Sequence, residues 1–161
     1  MLSYGKAEAK SRASLVPGDP TYVARLLKSV GLRPARQRVA LGRLLFGGEH
    51  RHLTAEMLFE AAISAKIDVS LATVYNTLNQ FTEVALLRQV GVDGTKTYFD
   101  TNVSEHSHFY FEQSHELVDI AGPLVVATPE LPVPAGYEVS RIDVVVRLRR
   151  KKSEFNGALT G

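Results

Sequence analysis

Between Ser70 and Phe81 the chain writes two different faces onto one short helix. Leu71, Val74, Leu78 and Phe81 recur at helical spacing as a stripe that packs inward, and Ser70 stands where a hydroxyl can take an unpaired first-turn N–H. Thr73, Asn76, Thr77 and Gln80 fall on another side as a row of short, uncharged hydrogen-bonding groups, with Tyr75 at the border. Such a row suits a helix laid in the major groove of DNA, where amides and hydroxyls meet base edges. Taken alone, it reads more readily as the solvated face of an ordinary amphipathic helix. The flanking chain has to choose between the two.

What precedes it is helical and basic. Asp19-Pro20 is a helix start, a capping carboxylate followed by a proline whose missing N–H costs nothing at the first position. Val23, Leu26, Leu27 and Val30 continue that helix, and Gly31 ends it. A second helix is expected to open at Pro34, carrying Val39, Leu41, Leu44 and Leu45, decorated by Arg33, Arg36, Arg38 and Arg43 and closed by Gly47-Gly48. Thr54 caps a third, with Leu58, Phe59, Ala62 and Ile63 on one face. After the helix at 70–81, Leu86–Val92 and Thr95–Asp100 read as two extended runs joined by Asp93-Gly94, a pair that tolerates positive φ at both central positions of a tight hairpin. A hairpin directly after a helix with a polar face is the grammar of a winged helix-turn-helix, and Lys96 falls near the wing tip, placed for a phosphate.

From residue 101 the pattern changes. His106–Glu112 and Glu116–Ile120 read as strands turned by Gln113-Ser114-His115. Pro123, Pro129, Pro132 and Pro134 then exclude a long helix, and Ile142, Val144, Val146 and Leu148 alternate through a strand expected over Glu138–Leu148. Three strands bury themselves poorly, which predicts a homodimer through this half. Charge divides along the same line: residues 1–90 carry twelve Lys or Arg against seven Asp or Glu, and residues 91–146 carry two against nine. A basic first half suits a polyanion partner. The fold class expected is therefore α+β: an N-terminal winged helix-turn-helix domain followed by a small α/β dimerisation domain with a three-stranded sheet. Its divisions are a flexible arm over 1–18, the DNA-binding domain over 19–90 with its wing reaching about 100, the second domain over 101–150, and a solvated tail over 151–161.

The chain has no cysteine, which removes disulfides, cysteine-held zinc and thiol catalysis. No apolar run is long enough to cross a bilayer and no signal segment opens the chain, so a cytoplasmic location is expected. His106 and His108 stand two apart on a predicted strand, so both imidazoles project from one face within reach of a single Zn²⁺, Fe²⁺ or Mn²⁺.

Three runs together resemble the ferric uptake regulator (Fur) family of metal-responsive repressors. These are Gly31–Arg38, the His52-Leu53-Thr54-Ala55-Glu56 step, and Ser70–Tyr75 with Leu78-Asn79-Gln80-Phe81. Within that family, Arg38–Phe46, Ala72–Leu78 and Tyr98–Asn102 look most like the iron response regulator (Irr) branch of alphaproteobacteria. The resemblance implies a DNA-binding regulator of iron homeostasis and haem synthesis that binds promoter DNA as a homodimer. It places the regulatory metal ligands on His52, Asp100, His106, His108 and Asp119, for Mn, Fe or Zn. Haem is a further regulatory ligand implied by the branch, at His106 and His108. Metal bound across that set would clamp the angle of the reading helices, and haem would compete for the imidazoles. The branch usually has three consecutive histidines where this chain has Ser107 in the middle, and the family's second metal site, which would fall near Ser107 and Ile142, does not carry over.

For DNA, Thr73, Tyr75, Asn76 and Thr77 are the expected base-edge contacts, with Arg36, Arg38 and Lys96 on phosphates. Two readings from other classes are a metal-dependent hydrolase and a haem carrier built on the same His-x-His. The hydrolase lacks H-E-x-x-H, G-x-S-x-G and a phosphate-cradling glycine loop, and a carrier needs no basic winged-helix head.

Overall fold

Asp19 opens the first helix as its sequence dictates. In the computed structural model, which describes residues 18–124 and 130–152, α1 spans Pro20–Ser29 and Asp19 Oδ1 accepts the Thr21 N–H at 2.6 Å. The backbone and side-chain hydrogen bonds from Thr21 hold the Asp19 carboxyl below its usual range. Gly31, at φ 80°, closes the helix. The Gly31 and Leu32 N–H groups turn back onto the Lys28 and Leu27 carbonyls, a left-handed stop that only glycine takes freely. The expectations for the arm before Gly18, for Pro129 and for the tail beyond Lys152 lie outside the described residues.

The second helix, α2 (Arg36–Phe46), opens later than Pro34. Its start is displaced because the Ala35 N–H folds back onto the Arg33 carbonyl at 2.8 Å, and Arg38 Nη1 donates to the same oxygen at 3.1 Å. Pro34 therefore sits in a turn and not at the first helical position. α3 (Ala55–Ser64) is capped by Thr54, whose Oγ1 accepts the Met57 N–H. Leu58 and Ala62 are buried on it, Phe59 is half-buried, and Ile63, expected on the same face, is 54% exposed. Ile63 stands a further 100° around the helix from Ala62, which carries it past the edge of the stripe.

α4 (Leu71–Glu83) begins at Ser70, whose Oγ accepts the Thr73 N–H at 3.1 Å. Val74, Leu78 and Phe81 are fully buried and Leu71 half-buried. Thr77, read above as part of the outer polar row, is 4% exposed. It lies three residues after Val74 and four before Phe81, and that spacing puts it on the core side. These helices close over a core that takes in Leu53 and Phe99 from the adjoining strands and Leu87 from the link after α4.

Those strands are β1 (His52–Leu53), β2 (Arg88–Asp93) and β3 (Lys96–Asp100), an antiparallel sheet in the order β1-β3-β2. The β2–β3 hairpin is the expected wing, although its turn is built differently. Asp93 still pairs with Lys96, so Gly94-Thr95 is the loop, and neither Asp93 nor Gly94 takes a left-handed φ. The Asp93 carboxylate organises the bend instead, with Oδ1 accepting from the Thr95 N–H, the Thr95 hydroxyl and the Lys96 N–H.

The chain divides into two compact units between Ser104 and Glu105. The second is built on β4 (His108–Phe111), β5 (Glu116–Asp119) and β6 (Val145–Leu148), in the order β5-β4-β6, with β6 parallel to β4. β4 starts at His108, so His106 precedes the strand on which it was expected. The third strand is likewise shorter than Glu138–Leu148, because β4 offers ladder groups for only four residues and nothing in the sheet pairs with 138–143. The β4–β5 turn is fixed by His115 at φ 56°, whose N–H returns to the Phe111 carbonyl and whose Nδ1 meets the buried Tyr110 hydroxyl at 2.8 Å. The Arg147 guanidinium lies over the Tyr110 ring.

Candidate functional site

Within the first unit, the strand register sets His52 beside Asp100. His52 Nε2 lies 3.2 Å from Asp100 Oδ2, and Oδ1 of the same carboxylate accepts the Asn102 N–H at 2.8 Å. Asp100 is completely buried. The Arg51 N–H donates to Thr101 Oγ1 and the Thr101 N–H to the Arg51 carbonyl, and these two bonds hold the short β1 against the end of β3.

Within the second unit, register pairs His108 with Asp119. His106 Nε2 lies 3.0 Å and His108 Nε2 3.5 Å from one atom, Asp119 Oδ1. The two imidazole rings are 4.4 Å apart, centre to centre, although His106 is off the strand. The irregular approach to β4 does what a two-residue strand spacing was expected to do. An ion held by bonds of about 2.1 Å needs ligand atoms about 3–3.5 Å apart, and both groupings meet that spacing. Two imidazole nitrogens with carboxylate oxygens suit Zn²⁺, Mn²⁺ or Fe²⁺. The structure thus brings His106, His108 and Asp119 together in one unit and His52 with Asp100 in the other.

The outer face of α4 is narrower than its sequence suggests. Asn76 is exposed, Tyr75 is 40% exposed, and Thr73 is half-buried with its hydroxyl on Ser70 Oγ at 2.9 Å. Thr77 is turned inward, so it leaves the set of base contacts. Arg38 does not stand free for a phosphate: its Nε donates to Gln80 Oε1 at 2.9 Å, binding α2 to α4. Gln37 Nε2 donates to the Asp68 carbonyl just ahead of α4. Arg36 is exposed, and Lys96 is half-buried beside the wing turn.

Sequence reasoning missed the partner of Tyr75. The Tyr75 hydroxyl donates to Glu56 Oε1 of α3 at 2.5 Å, which lowers the Glu56 carboxyl below its usual range and raises the Tyr75 phenol. Glu56 was legible only as a member of the step beginning at His52, and nothing in its spacing pointed at Tyr75. Arg88 was missed as well, although its position in register with Val90 and Val92 on the buried face of β2 marks a charge placed in the core.

Residues 29–147 match the sequence model of the ferric uptake regulator family. The chain belongs to the ferric uptake regulator family. Ferric uptake regulators are regulators of transcription and not enzymes, and the hydrolase reading falls with that. A ferric uptake regulation protein of Haemophilus ducreyi is 39% identical over 87 residues, 52% of this chain and 58% of that protein. A peroxide-responsive repressor of Staphylococcus aureus is 31% identical over 97 residues, 60% of this chain and 65% of that one. Among solved structures, the ferric uptake regulator of Pseudomonas aeruginosa with manganese is similar, with a TM-score of 0.60 and 26% identity, covering 81% of this chain and 98% of that one. This likeness agrees with a winged helix-turn-helix followed by a second domain with a three-stranded sheet.

Proposed function

We propose that this member of the ferric uptake regulator family is a cytoplasmic, dimeric regulator of iron homeostasis and haem synthesis, of the iron response regulator kind, which binds promoter DNA under the control of a divalent metal. His52, Asp100, His106, His108 and Asp119 together hold one ion, so that its arrival fixes how two copies of α4 are presented to DNA. The observation that carries this reading is the convergence of the His106 and His108 Nε2 atoms on a single Asp119 oxygen, at ion-ligand spacing. The solved relative with manganese makes Mn²⁺ the ion to test first. Haem is the second ligand of this reading, taken by His106 and His108 in competition with the metal.

Dimerisation is supported by the second unit's sheet, whose three strands leave Val118 exposed. No described helix is long and apolar enough to cross a membrane.

The deciding experiment is a gel shift on the chain's own promoter region at low salt, with Mn²⁺, without it, and with haemin added. Retardation that depends on Mn²⁺ and is altered by haemin is expected, together with a Soret band that weakens in the His106→Ala/His108→Ala variant. No retardation in any condition overturns the regulator, and a Soret band untouched by the double substitution overturns haem at these residues.

Asn76 and Tyr75 read base edges in this scheme, Thr73 supports them, and Arg36 and Lys96 meet phosphates. Arg38 acts through Gln80 by holding α4 in place. Tyr75→Ala is expected to cost about 1–3 kcal/mol on the cognate site and less on scrambled DNA, whereas Lys96→Ala weakens both alike and flattens the salt dependence. Equal losses on the two DNAs for Tyr75→Ala would refute its reading role.

A further inference from the structure

Three residues of different charge lie in one row across the first unit's sheet. His52 pairs with Asp100 on one side, and Arg88 pairs with Asp100 on the other, so all three side chains leave the same face. Asp100 is wholly buried and Arg88 is 5% exposed, an unusual depth for either. A guanidinium cannot shed its charge, and burying one is tolerated only beside an opposite charge or a full set of acceptors. Arg88 Nη1 also donates to the Ser104 carbonyl at 2.8 Å, and Asp100 Oδ1 receives the Asn102 N–H. Strand register thus sets Arg88 directly across from Asp100, and its guanidinium also pins the segment that follows that carboxylate.

We infer that Arg88 is a positioning residue for the metal centre, a built-in counter-charge that stands in for the ion at Asp100 when none is bound. This rests on the metal reading proposed above, in which Asp100 is a ligand and Arg88 is not. Without an ion, Arg88 is the permanent positive charge that the row sets against the Asp100 carboxylate. With an ion bound, a second positive charge reaches the same carboxylate and part of the work of Arg88 becomes redundant. Arg88 thereby keeps the site assembled in the empty state and lowers its affinity for metal, so that binding stays reversible.

The test is thermal melting of the full chain with and without saturating Mn²⁺. Arg88→Met is expected to lower the metal-free melting temperature by roughly 6–12 °C and to lower the Mn²⁺-loaded one much less. The rise produced by Mn²⁺ then grows at least about twofold over wild type, as the linkage of binding to folding requires. Arg88→Lys, which keeps the charge and loses the fork, stays near wild type in both conditions. Adding Asp100→Asn to Arg88→Met removes the uncompensated carboxylate and restores most of the metal-free loss. Equal lowering with and without Mn²⁺, or no restoration by Asp100→Asn, overturns the inference. A wild type that does not respond to Mn²⁺ refutes the metal reading on its own, and the metal-free double variant still decides whether Arg88 serves Asp100. Should Arg88→Met alone not fold, a cooperative metal-free melt regained in Arg88→Met/Asp100→Asn supports the inference, and a double variant that also fails to fold overturns it.

Discussion

Replacing Asp119 by alanine is expected to weaken Mn²⁺ binding by about 100-fold or more, while the metal-free melting temperature moves little. The reasoning is geometric. Both His106 and His108 direct Nε2 at the same Asp119 oxygen, so one substitution removes a proposed ligand and also the carboxylate that aims two imidazoles. The Asp119 side chain is 34% exposed, against 10% for His106 and 2% for His108, so water entering at the gap can take over part of the hydrogen bonding that the two imidazoles lose, and the cost to folding stays below the cost to binding. Metal affinity and stability should therefore separate, which is the mark of a residue kept for binding. Asp119→Asn is expected to retain part of the aim and lose the charge, falling between wild type and alanine. Titration calorimetry with Mn²⁺ reads both, and an Asp119→Ala chain that binds Mn²⁺ like wild type would remove Asp119 from the centre.

Phe81→Ala should have the opposite signature, a loss of fold with no specific loss of ligands. Phe81 is completely buried at the end of α4, with the Phe46 ring 5.8 Å away, centre to centre. Its carbonyl also receives the Leu86 and Leu87 N–H groups that turn the chain out of the helix toward β2. Truncating a ring in such a place costs about 3–5 kcal/mol, through lost burial and the cavity left behind. In a domain whose whole stability is about 5–15 kcal/mol, that is a drop of roughly 6–20 °C in melting temperature. Phe81→Leu, which refills most of the space, should cost less than half as much. Calorimetry that found a loss below about 1 kcal/mol for alanine would mean that the site collapses onto the gap far better than close packing allows.

The sequence was most legible where one residue type has one local job. Asp19, Thr54 and Ser70 were recognisable as caps, and each accepts the first-turn N–H that its position requires. Apolar periodicity located the four described helices, because burial there depends on spacing along a single element, and Asp93-Gly94 between two extended runs located the wing. Reading failed where the outcome depends on a second element. Thr77 and Ile63 sit at the margins of their stripes, and which margin is covered depends on the neighbouring helix. The strand read over Glu138–Leu148 reaches β4 only from the Val144 carbonyl onward, and no described strand pairs with 138–143. Among the candidate metal ligands, His106 and His108 announced themselves by proximity, while His52, Asp100 and Asp119 came only from resemblance. His52 meets Asp100 through a two-residue strand, too short to leave any period in the sequence.

The parallel pairing of β6 with β4 carries a consequence for the order of events as the chain folds. β4 and β5 are neighbours in sequence and close a tight hairpin at small entropic cost, whereas β6 must be brought back from far along the chain before a single bond forms. The hairpin therefore assembles first and β6 docks last, over only four residues. In the interval one long side of β4 is an open template, and any extended segment nearby can sit there, including the same segment of another newly made chain. The slow return of Val145–Leu148 is thus the step at which this protein is most exposed to strand exchange.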